Sequence, residues 1–497
     1  MLKPNKDINL IKPSILFRAD GNSRIGLGHV VRSLALAQML QEEFHCVFAI
    51  QEPEESLERQ LREVCDEVIY LPEREVSGQE TEYLAAQVLR PTDVVVLDGY
   101  RFDTAYQQRI KAKGCVLVCI DDIHAYAFVA DAVINFAGGI TKETYKTAPY
   151  TKLLLGPQYA LLRPPFLKAA RQERTLPQGE LRLLLNLGGA DPENHTLRLA
   201  KELSELESIP AVEIVVGGAY KHLPELQDWL RGKKHLRLHR NLGAGAMCRL
   251  MHSCALSLTS ASGVAYEYAA VGGLLFVLQT ADNQAGLYSF LTSTGLARKY
   301  EGPQSMVLAS IATDFRQQVQ VQRQNFDGSS DERLREEFRR LSLAASLTLR
   351  NATAEDVLLV YGWNNDPEVR RHSFNPEPIP LANHQAWFKA RLTDKNTPIY
   401  IVEAAGEPAA QIRFTLSDGK ATIGYLIARE FRGVGLGHVV LQKGVERFKK
   451  DYPGESMVEG LVQRDNAASV RAFEKAGFTY GEPNPAHPEA FRFVLGL

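Results

Sequence analysis

The chain has 497 residues, 45% of them apolar and 23% charged. That length predicts about three domains, and the composition excludes a disordered chain. Lysine and arginine number 57 against 59 aspartate and glutamate, a formal charge of −2. Bulk charge therefore announces no nucleic-acid partner. Six cysteines with no CxxC pair read as reduced, buried thiols of a cytoplasmic protein. Met1–Pro13 has no apolar signal-peptide core, and no apolar run approaches the ~18–20 residues of a membrane span. The expectation is a soluble cytoplasmic protein with neither nucleic acid nor membrane as partner.

Short, solidly apolar runs open the chain: Ser14–Arg18, Cys46–Ile50, Glu67–Tyr70, Val94–Asp98, Val116–Asp121 and Ala132–Asn135. Helical patterns such as His29–Glu42 and Glu54–Val64 fall between them. Strands alternating with helices imply a parallel sheet covered on both faces. A turn-rich stretch, Leu161–Gly179, precedes a second series of the same kind: Leu181–Leu187, Glu213–Val216, Leu236–His239, Leu256–Leu258 and Leu274–Val277. A polar region with an amphipathic helix, Asp331–Leu341, follows. From Leu347 the pattern changes to α+β, with strands at Leu347–Arg350, Ile399–Glu403, Ala409–Leu416, Lys420–Ile427 and Met457–Leu461. The predicted units are an N-terminal lobe (1–160), a second lobe (161–345) and a C-terminal domain (346–497).

The first strand runs into Arg18-Ala19-Asp20-Gly21-Asn22-Ser23-Arg24-Ile25-Gly26-Leu27-Gly28-His29-Val30-Val31-Arg32. Glycines at a strand-to-helix turn let backbone approach a ligand, and the helix start offers N–H groups for phosphate. His29 falls in the first helical turn, where a neutral imidazole can take a proton from water. The segment Arg18–Leu36 resembles the opening motif of the UDP-sugar hydrolases of pseudaminic acid biosynthesis. Val96-Leu97-Asp98-Gly99-Tyr100, Ile120-Asp121-Asp122 and Ile134-Asn135 resemble that family's next strand ends. Leu187-Gly188-Gly189-Ala190-Asp191, Ser260-Ala261-Ser262-Gly263 through Glu267, and Asp282-Asn283-Gln284 resemble its nucleotide-binding lobe.

The resemblance implies two Rossmann-like lobes of a GT-B glycosyltransferase fold, with water as acceptor and UDP as leaving group. It implies His29 as the general base, with Asp20, Tyr100 and Asn283 beside it in the catalytic set. Asp20 is placed to orient His29 or hold a sugar hydroxyl. Gly26, Gly28, Arg32 and Asp98 are expected at the substrate. Gly188, Gly189, Ser260, Ser262 and Gly263 are expected around the diphosphate, Glu267 at the ribose and Gln284 nearby. The sequence departs from the family at Ser33, where a cysteine is common, and at Ser260–Gly263, which is not the usual G-G-S/T. No metal-binding motif is found in this half, so no metal is expected.

In the C-terminal unit, Arg432-Gly433-Val434-Gly435-Leu436-Gly437 follows a strand and opens a helix. Its spacing resembles the R-x-x-G-x-G pyrophosphate loop of GNAT acetyltransferases, an α+β fold. Asn466-Ala467-Ala468-Ser469 through Phe473-Glu474-Lys475-Ala476-Gly477-Phe478 resembles that family's second motif, which puts Asn466 and Ser469 at the cofactor. The resemblance implies acetyl-CoA as co-substrate. Phe473 stands where the family often has a tyrosine acid, so the group that reprotonates the thiolate is left open. A bulge near Gly424 and Tyr425 is expected to polarise the acetyl carbonyl. His372, His384 and Glu459 are candidates for the amine base, and Trp363 and Asn365 for the substrate site.

Together the two resemblances name adjacent steps: acetylation of the 4-amine of a UDP-amino sugar, then removal of UDP. The alternatives are a glycosyltransferase with another acceptor, a hydrolase with a non-catalytic coenzyme-binding module, or a legionaminic- or bacillosamine-type pathway. Oligomeric state is not readable from the sequence.

Overall fold

A computed structural model describes residues 12–21, 27–72, 77–417 and 419–497. The apolar runs of the first third form one parallel sheet: β1 (Ser14–Ala19), β2 (His45–Gln51), β3 (Glu67–Leu71), β4 (Val94–Asp98), β5 (Val116–Ile120), β6 (Ala132–Asn135) and β7 (Lys152–Leu155). The strand order is β3-β2-β1-β4-β5-β6-β7. All its pairings are parallel. Strands β4, β5 and β6 are buried from end to end, which is why their sequences are continuously apolar.

The second series repeats the plan with β8 (Arg182–Asn186), β9 (Ala211–Val216), β10 (Leu236–Arg240), β11 (Leu256–Ser260), β12 (Leu274–Leu278) and β13 (Arg298–Lys299). Their order is β10-β9-β8-β11-β12-β13, again parallel. Each sheet reverses its winding once, between β1 and β4 in the first and between β8 and β11 in the second. Ligands of such sheets bind at the strand carboxyl ends where the order reverses.

The third sheet is mixed: β14 (Thr348–Asn351), β15 (Ile399–Ala404), β16 (Glu407–Ser417), β17 (Lys420–Ile427), β18 (Met457–Gln463), β19 (Thr479–Tyr480) and β20 (Ala490–Gly496). Its order is β14-β15-β16-β17-β18-β20-β19, and β17–β18 is its one parallel pair. The fold is therefore two Rossmann-like lobes of parallel α/β structure followed by an α+β domain on a mixed sheet.

The helix Ser330–Ala345 joins these parts. It packs on the helix Gly28–Leu40 and on β4 and β5 of the first lobe, so the chain crosses back before entering the third sheet. One hydrophobic cluster runs from Ile15 and Phe17 through Leu334, Phe338 and Leu341 of this helix to Tyr400 and Ile412. The two lobes are also pinned to each other. The Tyr266 hydroxyl accepts from the Gly138 N–H at 3.0 Å and donates to the Phe136 carbonyl at 3.2 Å. A Cβ on Gly138 would stand 2.0 Å from the Phe290 ring, so only glycine allows that approach.

Candidate active sites

In the first lobe, β4 ends on Asp98, a fully buried carboxylate. A buried charge survives only when paired and hydrogen-bonded, and the helix Gly28–Leu40 supplies the partners. His29 Nδ1 lies 2.7 Å from Asp98 Oδ1. Arg32 donates to both Asp98 oxygens, at 2.7 and 2.6 Å, and Ser33 Oγ donates at 3.1 Å. His29, Arg32 and Ser33 occupy one helical face because they are three and four residues apart. Arg32 Nη2 and His29 Nδ1 converge on the same oxygen and so sit 3.0 Å apart. Arg32 also donates to Asp122, after β5, at 2.7 Å. The acidic partners hold the Arg32 guanidinium firmly cationic despite its burial. Tyr100 meets the His29 ring edge-on at 4.7 Å and is otherwise half exposed. Burial, with Asp122 adding, raises its phenol above the ordinary value.

Asp20 does not reach this group. Its carboxylate takes Arg18 at 2.6 and 2.8 Å, Arg101 at 2.5 Å and the Gln51 N–H at 3.0 Å. Burial pushes Asp20 up, but Arg18 and Arg101 outweigh it and hold the carboxyl below its usual range. The expected orienter of His29 is thus replaced by Asp98. The physical reason is that the fully buried Arg18, shared with Glu80, claims Asp20 two residues away. Gly26 lies outside the described residues; Gly28 is the first residue of the helix.

In the second lobe, Gly188 follows β8 with φ +96°, a left-handed conformation suited to glycine, and its N–H donates to Asn186 Oδ1. A Cβ on Gly217 would meet the Gly189 carbonyl at 2.5 Å, so the loops after β8 and β9 touch through bare backbone. Ser260 ends β11, and its hydroxyl pairs with that of Ser262 at 2.9 Å. Ser262 precedes the helix Gly263–Val271, whose start carries no side-chain cap. These groups gather at the carboxyl ends of β8 and β11, where the second sheet reverses. Glu267 is engaged by Arg163 at 2.8 and 2.9 Å. Burial raises its carboxyl against the pull of Arg163. Gln284 braces its own loop by accepting from Thr280, and Asn283 is exposed beside it.

The C-terminal domain holds a cavity of about 550 Å³ between the loop Arg432–Gly437, the start of the helix Ala467–Lys475 and the segment Glu368–Ser373. Gly433 and Gly435 have φ of +78° and +83°, left-handed conformations that suit glycine. The helix Gly437–Asp451 begins there without a side-chain cap. Arg432 is tied to Asp366 and to the Ile427 carbonyl, both at 2.8 Å. Asn466 Oδ1 caps the next helix at the Ser469 N–H, 3.1 Å away. The Ser469 hydroxyl lies 3.1 Å from that of Tyr425. Burial and Lys475 push His438, in the first turn beyond the loop, down to about 4.

The expected bulge at Gly424–Tyr425 is not present. The β16–β17 register is regular there, and the irregularity of this sheet falls at Val402/Glu403. Instead β17 and β18 pair only as far as Ile423–Gly460 and then part. Parting has the same consequence: it leaves β17 backbone beyond Ile423 unpaired on that side. The amine-base candidates separate cleanly. His384 is buried and bonds the Val357 carbonyl, and Glu459 is bound by Arg492 at 2.8 and 2.6 Å. His372 lines the cavity. Trp363 packs on the small core of Val360, Phe388, Ile399 and Ile401, and Asn365 fastens Ile379. Phe473 is buried against Phe478 and Phe493. Tyr425, expected only for its backbone, also brings a hydroxyl to the cavity.

Comparison with known proteins matches these regions. A family model described as acetyltransferase (GNAT) domain matches residues 346–479. A UDP-2,4-diacetamido-2,4,6-trideoxy-β-L-altropyranose hydrolase from Campylobacter jejuni is 24% identical over 294 residues, 58% of this chain and 99% of that protein. An uncharacterized protein from Methanocaldococcus jannaschii is 21% identical over 483 residues, 92% of this chain and 95% of its own. A solved aminoglycoside acetyltransferase in complex with coenzyme A is 23% identical, covers 30% of this chain and 95% of its own, and gives a TM-score of 0.28. The N-terminal region is distantly related to UDP-sugar hydrolases, and the C-terminal region is a GNAT acetyltransferase domain. No described helix is long and apolar enough to cross a membrane.

Proposed function

We propose that the chain is a bifunctional nucleotide-sugar enzyme of a pseudaminic-type pathway, built of units 1–160, 161–345 and 346–497. The GNAT domain acetylates the 4-amine of a UDP-linked amino-dideoxy sugar. The two lobes then hydrolyse the 2,4-diacetamido-2,4,6-trideoxy product and release UDP. The activity that names the Campylobacter jejuni relative supports the choice of sugar.

The observation that carries the hydrolytic half is the 2.7 Å bond between His29 Nδ1 and Asp98. A carboxylate partner makes Nδ1 the protonated nitrogen, so Nε2 is the one free to accept a proton. His29 Nε2 takes a proton from water as the water oxygen bonds to the anomeric carbon. The bond from that carbon to the UDP oxygen breaks, and its electron pair leaves with UDP. Asp98 stabilises the imidazolium that forms. The uncapped start of Gly263–Val271 and the backbone at Gly188–Gly189 face the charge growing on the diphosphate. Tyr100, Arg32 and Asn283 contact the sugar side.

In the GNAT domain the loop Arg432–Gly437 binds the acetyl-CoA pyrophosphate, and the parted β17 backbone polarises the acetyl carbonyl. His372 takes the amine proton. The amine nitrogen bonds to the carbonyl carbon, the C–S bond breaks, and Tyr425 returns a proton to the thiolate in place of the missing hydroxyl at Phe473. The test is to incubate the chain with the UDP-linked 4-amino sugar, with and without acetyl-CoA, and follow UDP and free thiol together. UDP released only with acetyl-CoA, and a His29→Ala variant that releases thiol but no UDP, are the expected results. Thiol without UDP from the unaltered chain sinks the hydrolase reading; no thiol from the 4-amino sugar with acetyl-CoA, while the pre-acetylated sugar still yields UDP, sinks the acetyltransferase reading.

A further inference from the structure

Arg340 belongs to the helix Ser330–Ala345, outside the residues that match the GNAT family. Its guanidinium nevertheless stands in the coenzyme cavity. Arg340 Nε donates to the Val434 carbonyl at 3.1 Å. Nη2 lies so close to Gly435 that a Cβ there would be 2.5 Å away. Both contacts are with the loop Arg432–Gly437, which lines the cavity. We infer that Arg340 is a ligand of the coenzyme A pyrophosphate, supplied to the GNAT site by the helix that packs on the first lobe.

Three observations converge on this. The charge is not neutralised where it stands. Arg340 Nη1 donates to Glu337 at 3.2 Å, but Glu337 is already paired with Lys152 of β7. Two cations share one carboxylate, so a positive charge remains for an anion. The surroundings are also cationic: Arg432, Arg471 and Lys475 line the same cavity, with Glu368 the one carboxylate among the described residues that line it. Arg432, the arginine of the sequence motif, is already spent on Asp366 and Ile427. Finally, Arg340 is held in place from both sides. Val434 fixes one edge of the guanidinium and Glu337 the other, and the helix itself is anchored by Leu334, Phe338 and Leu341 in the shared core. A planar, preorganised guanidinium suits a diphosphate better than a flexible ammonium.

The inference rests on the acetyltransferase reading, and the experiment separates the two. The full chain and its Arg340→Gln and Arg340→Lys variants are titrated calorimetrically with acetyl-CoA, with 3′-dephospho-acetyl-CoA and with acetyl-pantetheine. Loss of a charge-assisted bond to phosphate weakens binding by about tenfold or more. That loss is expected in Arg340→Gln for both ligands carrying the pyrophosphate, smaller in Arg340→Lys, and absent for acetyl-pantetheine. Thermal unfolding checks that the variants fold, and Arg333→Gln on the same helix, paired with Asp327, is expected to bind as the unaltered chain does. Equal affinity of Arg340→Gln and the unaltered chain for acetyl-CoA overturns the inference and leaves the acetyltransferase standing. A loss confined to the ligand with the 3′-phosphate overturns it too, because Arg340 then reads a different phosphate. An unaltered chain that binds no acetyl-CoA overturns both.

Discussion

The two candidate sites are made from different materials. In the first lobe the working groups are side chains locked to one another: His29, Arg32 and Ser33 all close on the buried Asp98. In the GNAT domain the central element is backbone, a loop turned by Gly433 and Gly435 in left-handed conformations. A side-chain network fails when one member is removed, because the others are left charged and unpaired in a buried place. A backbone cradle is indifferent to most side chains and fails when a Cβ is added. The two halves of the chain are therefore sensitive to opposite kinds of substitution.

The sharpest way to test that contrast is at its centre. His29→Ala is expected to lower UDP release by about 10²–10⁴-fold, the usual worth of a positioned general base, while thiol release stays unchanged. Asp98→Ala should add a structural penalty. It leaves Arg32 buried without its main partner, which costs about 3–5 kcal/mol, read as a lowered denaturation midpoint together with loss of UDP release. In the GNAT domain, Gly435→Ala puts a Cβ at φ +83°, a strain of about 1–2 kcal/mol. Acetyl-CoA affinity should fall by roughly tenfold, with UDP release from the pre-acetylated sugar untouched. Tyr425→Phe should slow thiol release by about tenfold or more without changing acetyl-CoA affinity; unchanged thiol release would remove Tyr425 from the mechanism.

A further effect concerns pH. His438 is held near 4 in the folded chain, against an ordinary value near 6.5. The unfolded chain therefore takes up a proton first as pH falls, and stability is lost between about 6.5 and 4. Lys475 and Lys111 oppose the charged form and Asp131 favours it, while Tyr150 of the first lobe stacks on the ring. His438→Gln should flatten the stability profile over that window, measured by chemical denaturation at several pH values.

The apolar strands of both lobes were legible in the sequence because burial on two faces leaves a continuous hydrophobic run. Val94–Asp98 and Ala132–Asn135 match to the residue, as does the half-buried Lys420–Ile427 of the third sheet. Strands β7, β13, β19 and β20 were not read: β13 and β19 are two residues long, and β7 and β20 are only partly buried. Of the site, the histidine and the glycine loops carried local signals. The partner of His29 did not, because Asp98 is 69 positions away and Asp20 only nine. Proximity in sequence pointed to Asp20; the β1–β4 pairing instead brings Asp98 to the His29 ring. Arg340 had no motif at all. Its helix read as a polar connection, and only packing reveals that one of its arginines reaches the glycine loop.

The crossing-back of that helix has a consequence for biosynthesis. The first lobe's strands leave the ribosome well before Ser330–Ala345 does, and the whole second lobe is made in between. Until then the apolar surface that Leu334, Phe338 and Leu341 will cover stays open to water. Completion of the first lobe is thus deferred to the moment when the GNAT domain starts to emerge, and the nascent chain must keep that surface from sticking elsewhere for as long as the second lobe takes to be made.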